Sequence, residues 1–217
     1  MLKIVNINPT NSETLLRIAQ SLLFNDKIIA IPTDTIYGLA VAANSAHAIK
    51  RLYDVKERHL AKPFAICVSN IADIYKYSEV TVEMSLLSEL LPGAVTVMFQ
   101  RNDNLNAHLN PDHNLVGIRV PDYSFVRELC HLTGPIALTS ANISSQTSCL
   151  NIEEFRSLWP SVDAVFNGGQ LGHIDPERLG STIIDLSTKG YFRIVRDGCV
   201  LSHTLQILKK YKLTRLR

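Results

Sequence analysis

Several short stretches of this 217-residue chain place hydroxyls, amides and cations where apolar runs end. Such strand ends are where α/β proteins build binding sites. The first is Thr33-Asp34-Thr35, between Pro32 and Tyr37-Gly38-Leu39. Next come Lys56-Glu57-Arg58 with Lys62-Pro63, then Leu91-Pro92-Gly93 and Val116-Gly117-Ile118-Arg119-Val120-Pro121. Thr139-Ser140-Ala141-Asn142 and Gly180-Ser181-Thr182 close the series. The chemistry these types suggest is the holding of anions. Arginine offers a planar fork to a carboxylate or phosphate, and lysine offers a mobile point charge.

Taken singly, each cluster also has a plainer reading. Thr33, Asp34 and Thr35 suit a helix-capping turn as well as a ligand loop. Lys56, Arg58 and Lys62 read as a solvated helix end or as a phosphate-binding group. Arg119 interrupts the apolar run from Val116 to Val120, and an unpaired buried charge is costly. It therefore needs either an internal Asp or Glu or a ligand's carboxylate. Ser140 and Asn142, following Ile136-Ala137-Leu138, can hold a phosphate or ribose or cap the next turn. Asn142-Ile143-Ser144 matches a glycosylation acceptor, a match that means little without a secretory leader, and none is expected from the first residues.

Standard nucleotide and hydrolase signatures are missing. The sequence contains no G-x-x-x-x-G-K-[ST], no H-E-x-x-H, no EF-hand loop and no G-x-S-x-G. The 7 histidines and 4 cysteines show no ligand-like spacing, so neither a protein-held metal nor a disulfide framework is expected. Reduced thiols fit a cytoplasmic protein.

The elements that must position these residues alternate between helical and strand patterns. Thr10 to Glu13 resembles a capping box ahead of a helix whose apolar face is Leu15, Leu16, Ala19, Leu22 and Leu23. Helices are also predicted over Ser45–Val55, Thr81–Leu91, Tyr123–Leu132 and His203–Tyr211. Strands are predicted over Ile28–Ile31, Phe64–Val68, Val95–Phe99, Val116–Val120 and Pro135–Leu138, and Thr182–Asp185 and Phe192–Val195 are further elements of unassigned type. Ile152–Leu158 and Val162–Phe166 supply further elements, and Asn102–Asn114 reads as a polar surface loop. The alternation predicts an α/β fold in a single domain, 1–217, with a core over about 11–200 and a C-terminal helix over about 203–211. With 46% apolar and 19% charged residues and a net charge of +2, the chain is neither disordered nor strongly basic. No apolar run approaches the roughly 18 residues of a membrane span.

In this order, from about Ile28 to Gly198, the stretches resemble the YrdC family, the threonylcarbamoyl-AMP synthases, in their short eukaryotic form without an extra C-terminal domain. The resemblance implies a twisted mixed sheet with flanking helices and a positively charged concave groove. It implies condensation of L-threonine, bicarbonate or CO2, and ATP into threonylcarbamoyl-adenylate and pyrophosphate. ATP is then a substrate, Mg2+ accompanies its triphosphate, and no permanent cofactor is needed. A separate transfer complex would pass the group to a tRNA adenosine, with weak tRNA or double-stranded RNA binding as a further possibility. A mitochondrial pool beside the cytoplasmic one is compatible with this.

The family's Lys-x-Arg and Ser-x-Asn signature falls on Lys56, Arg58, Ser140 and Asn142, which the resemblance makes catalytic. It further implies that Thr35, Arg119 and Ser181 hold threonine, with Cys67 and Leu138 lining its pocket. ATP would be held by Arg58, Lys62, Ser140, Ser148 and Arg196, helped by backbone near Leu115. The family's common Arg-Pro-Gly reads Arg196-Asp197-Gly198 here, and Ser144-Ser145 stands where many members have Ser-Gly.

Two other readings compete on the residues. A non-catalytic module could grip double-stranded RNA or tRNA through a basic surface, but that would call for more interleaved cations and aromatics. An acyl- or carbamoyl-adenylate enzyme of different substrate would ordinarily carry extra domains and zinc-like cysteine motifs.

Overall fold

The computed structural model describes residues 3–8, 10–56, 63–143 and 146–216. Strand β1 (Lys3–Asn6) and helix α1 (Ser12–Phe24) precede β2 (Ile29–Ile31) and β3 (Gly38–Ala42). Helix α2 (Ala46–Val55) leads to β4 (Ala65–Cys67), then the short α3 (Ile74–Tyr77), β5 (Ser78–Glu79) and α4 (Met84–Leu90). The long pair β6 (Val95–Arg101) and β7 (Leu115–Arg119) follows, then α5 (Ser124–Thr133) and β8 (Ile136–Ser140). A run of 3₁₀ turns over Ile152–Ser161 precedes β9 (Ala164–Asn167), β10 (Thr182–Asp185) and β11 (Tyr191–Arg196). Helix α6 (Leu201–Lys210) and β12 (Thr214–Arg215) end the described chain.

All of the strands join one mixed sheet in the order β1-β9-β2-β3-β8-β4-β7-β6-β10-β11-β12, with β5 paired to β6. Parallel pairs such as β4·β7 and β6·β10 alternate with antiparallel ones such as β3·β8 and β6·β7. The α/β prediction holds, and the strand order is what the sequence left open.

The sheet's central strands are buried on both faces because each face is covered by its own apolar layer. On one side α1 and α5 bring Leu16, Ala19, Leu23, Phe125 and Leu129 against Ile29, Ile31 and Ala40. On the other, Leu52 of α2, Leu87 of α4 and Leu208 of α6 pack with Ile66, Val97, Phe99 and Ile118. Fully burying such a side chain stabilises the fold by about 1.5–3 kcal/mol.

Several local expectations need correction. No capping box forms at Thr10–Glu13: Asn11 is the N-cap of α1 and its side chain makes no cap bond to the helix. Asn8 organises that entry instead, its Oδ1 accepting from the Thr10 and Asn11 amides. The helix predicted from Thr81 begins only at Met84. Ser45 is an N-cap as its type suggests, its Oγ accepting from Ala48 N at 3.1 Å. Thr33–Thr35 caps no helix; it turns the chain from β2 into β3, a strand the sequence reading did not assign.

Three of the five residues of strand β3 (Gly-Leu-Ala-Val-Ala), Gly38, Ala40 and Ala42, have low strand preference, and pairing on both edges decides it. Gly38 is required there: a Cβ would lie 2.8 Å from Leu138 Cδ1 and 3.0 Å from Thr139 O. The Asn102–Asn114 loop is irregular as expected, yet Leu105, Leu109 and Asn110 within it are buried.

Candidate active site

The sheet register gathers the polar stretches. Gly38 pairs with Ser140, Cys67 with Arg119, and Ile183 with Arg196. Over these ends lies a cavity of about 180 Å³. Thr33, Ile36 and Tyr37 form one wall, and Pro63, Ala65 and Cys67 another. Thr96, Arg119, Leu138, Ser140, Ser181 and Arg196 also line it.

Arg119 is organised by the turn after β2. Its Nη2 donates to Asp34 Oδ1 at 2.6 Å, Nη1 to Thr35 Oγ1 at 3.1 Å, and Nε to Gly93 O at 3.2 Å. The side chains of Arg119 and Asp34 are only 7% and 1% exposed, so each charge is compensated by the other in a low dielectric. The internal-acid reading of Arg119 is thus realised, while the guanidinium still lines the cavity. A guanidinium has five N–H groups, so these three bonds leave one N–H on each Nη for a second acceptor. Asp34 Oδ2 is buried with no partner among the described residues. Thr33 shapes the turn: its Oγ1 accepts from the Thr35 and Ile36 amides and donates to Ile36 O at 2.7 Å.

Ser181 forms the opposite side. Its Oγ lies 2.8 Å from Thr96 Oγ1 and accepts from Arg196 Nη2 at 3.0 Å. Arg196 also donates to Ser181 O through Nε and Nη2, at 3.0 and 2.7 Å. Gly198 allows this close packing, since a Cβ would sit 2.2 Å from Thr182 N and 2.3 Å from Ser181 C.

Lys56 is no solvated helix end. It is 3% exposed, and its Nζ donates to Ser140 O at 2.8 Å and to Asn142 O. Asn142 in turn donates through Nδ2 to Gln146 O. The ammonium therefore ties α2 to the segment after β8, which the Ala141 N to Tyr37 O bond also holds, at 2.9 Å. This geometry anchors Lys56 at the end of α2 beside Ser140, which lines the cavity.

Cys67 and Leu138 line the cavity. Burial pushes the Cys67 thiol up to about 12, against the opposing pull of Arg119, so it stays protonated and acts as an apolar surface. Ser148 is not in the cavity wall; its carbonyl accepts from Arg178 at 3.1 Å. Leu115 is not brought there either. It starts β7 while Arg119 ends it, roughly 13 Å along the strand, and it pairs with Gln100. Arg58 and Lys62 lie outside the described residues.

Two residues escaped the sequence reading. Thr96 sits between Val95 and Val97 in an apolar strand, and that lone hydroxyl was the available signal. The Tyr37 phenol donates to Gly169 O at 2.8 Å and accepts from Gly168 N at 2.9 Å. Burial raises its pKa to about 12, with the Gly168 amide pulling the other way and Tyr123 adding to the rise. Among the described residues, no three His, Cys, Asp or Glu side chains are grouped to hold a metal ion. No described helix is long and apolar enough to cross a membrane.

A profile of the family described as "Telomere recombination" (Sua5_yciO_yrdC) matches residues 21–198. The chain belongs to the Sua5/YciO/YrdC family. Among relatives, the human threonylcarbamoyl-AMP synthase is 50% identical over 198 residues, covering 90% of this chain and 71% of that protein. The P. abyssi Sua5 crystal structure complexed with L-threonine superposes with a TM-score of 0.85 at 23% identity, over 100% of this chain. This chain spans 62% of the length of that Sua5 chain. E. coli YciO superposes with a TM-score of 0.78 at 21% identity, over 91% of this chain and 95% of its own. These two likenesses establish the shared Sua5/YciO/YrdC fold: a twisted mixed sheet between helices.

Proposed function

We propose that this chain condenses L-threonine, CO2 or bicarbonate, and ATP into threonylcarbamoyl-adenylate and pyrophosphate, for the threonylcarbamoyl modification of adenosine in tRNA. The observation that carries the reading is the meeting, in one cavity, of six residues that the family resemblance assigns to the substrates: Cys67, Arg119, Leu138, Ser140, Ser181 and Arg196. The 50% identity to a human protein named for this product supports it.

The reaction makes specific demands. The amine nitrogen of threonine bonds to the carbon of CO2 and loses a proton, giving a carbamate. A carbamate oxygen then attacks the α-phosphorus of ATP, the bond to the bridging oxygen breaks, and pyrophosphate leaves. Two anions must approach each other, so charge neutralisation and alignment dominate over covalent catalysis. In this reading Arg119, already braced by Asp34, directs its remaining N–H groups to the threonine carboxylate. Thr35 and Ser181 orient the amino acid, and Cys67 and Leu138 give its side chain an apolar wall.

At about 180 Å³ the cavity suits an amino acid. Pockets for larger, drug-sized ligands begin near roughly 300 Å³. The nucleotide would accordingly extend beyond the cavity toward Ser140, Asn142 and Arg196, with Arg58 and Lys62 contributing from the connection after α2. Lys56 serves by fixing the Ser140 and Asn142 carbonyls. Mg2+ would arrive as the counter-ion of the triphosphate, held by phosphate oxygens, where it offsets the charge of the departing pyrophosphate.

The test is reconstitution: purified protein, ATP, Mg2+, bicarbonate and radiolabelled threonine. A labile adenylate carrying the label, formed with an equal amount of pyrophosphate, is the expected result. Salt-sensitive RNA binding with no adenylate would replace this reading with the non-catalytic module.

A further inference from the structure

The loop ahead of Ser181 carries more polar construction than a simple connection needs. Asp175 is wholly buried, and its carboxylate accepts from Leu179 N at 2.8 Å and Gly180 N at 2.6 Å. Burying a carboxylate is costly unless hydrogen bonds compensate it, and here backbone amides two residues or fewer from Ser181 do so. Arg178 and Gly180 both take left-handed backbone angles, with φ of 60° and 73°. Glycine accepts that region readily; arginine does so at a cost. Gly180 also brings the loop against Arg196, since a Cβ there would lie 3.1 Å from Arg196 Nη2.

The strained Arg178 makes a set of bonds that accounts for its conformation. Its guanidinium reaches Glu154 as a two-pronged pair, Nη1 to Oε2 at 2.6 Å and Nη2 to Oε1 at 3.0 Å. Nη1 also donates to Ser148 O at 3.1 Å. Glu154 is itself held, its Oε2 accepting from Leu150 N at 2.9 Å and its Oε1 from Asn151 Nδ2 at 3.0 Å. Burial opposes charge on Glu154, but the bonds from Arg178 and the Leu150 amide, with the charge of Arg178, outweigh it and hold the carboxyl below its usual range. Arg178 thereby fastens the Ser181 loop to the segment that runs on from Ser140 and Asn142.

We propose that the Arg178–Glu154 clamp is a positioning device that sets Ser181 and Arg196 against the Ser140–Asn142 side of the cavity. Neither residue touches the cavity; they act through Asp175, Gly180 and Ser181. The inference rests on the proposed function in taking Ser181 as a threonine contact. Loosening the clamp displaces the Ser181 hydroxyl and the Arg196 fork, so threonine binding weakens while the fold persists, because the pair is about 31% and 26% exposed.

The experiment compares wild type with R178A, R178K, E154A and the charge-exchanged double variant R178E/E154R. Melting curves confirm folding, calorimetry titrates L-threonine directly, and initial rates give KM and kcat. R178A and E154A are expected to weaken threonine binding and raise its KM on the order of tenfold, with kcat at saturation within about twofold. R178K, which keeps the charge and loses the fork, falls between, and R178E/E154R recovers part of the loss. Equal threonine affinity in wild type and R178A overturns the proposal. So does a fall in kcat alone, in step with the folded fraction. Failure of wild type to make the adenylate counts against the proposed function instead, since the affinity ratio is read without turnover.

Discussion

Arg119 and Asp34 meet at 2.6 Å across 85 positions of sequence, one at the end of β7 and the other in the turn after β2. The pair joins two strands that are not neighbours in the sheet, and it presents a cation to the cavity at fixed orientation. An arginine braced in this way loses little freedom when a carboxylate arrives.

Asp34→Ala removes one member of a buried pair and leaves an uncompensated guanidinium. Stability should fall by about 3–5 kcal/mol in urea melts, and threonine-dependent turnover should fall with it. A loss below about 1 kcal/mol would mean that Arg119 is neutralised by something other than Asp34.

Arg58→Ala should lower threonine-, bicarbonate- and ATP-dependent pyrophosphate release by about 10²–10³. The measurement is coupled pyrophosphate detection at saturating substrates. An unchanged rate would remove Arg58 from the phosphate-side role.

Gly198→Ala forces a methyl group into backbone at Ser181 and Thr182, where nothing flexible can yield. Turnover should drop by about 10²-fold, with a stability loss of about 1–3 kcal/mol. Near-normal kinetics would show that the start of β10 tolerates displacement.

Stability should decline as the solution becomes alkaline. Cys67 titrates near 12 in the fold against an ordinary 9, and Tyr37 near 12 against 10. For an acid with a raised folded pKa, the unfolded chain gives up its proton first. From about pH 9 to 12 the unfolded state therefore binds fewer protons, and ΔG of unfolding falls as pH rises. Denaturant melts at increasing pH check this; a flat profile across the window would contradict the burial of both groups.

The residue pattern by itself determined the alternating α/β plan, several strands, and the short polar stretches that end them. Apolar runs such as Ile136-Ala137-Leu138 carry that information locally, through burial and periodicity. The YrdC resemblance was equally legible, because the spacing of Lys56, Arg58, Ser140 and Asn142 survives in one dimension. Strand β3 was not legible, since Gly38, Ala40 and Ala42 have little intrinsic strand preference and the strand is held by partners on both sides.

Tertiary structure alone decided what the charges do. Whether Arg119 faces Asp34 or a ligand, and whether Lys56 is solvated or anchored to Ser140 and Asn142, depends on which strands lie side by side. The same holds for Thr96, which the pairing of β6 with β10 brings beside Ser181. Register and strand order arise from long-range pairing and desolvation. A buried charge takes its partner from the folded neighbourhood, and no local pattern names that partner in advance.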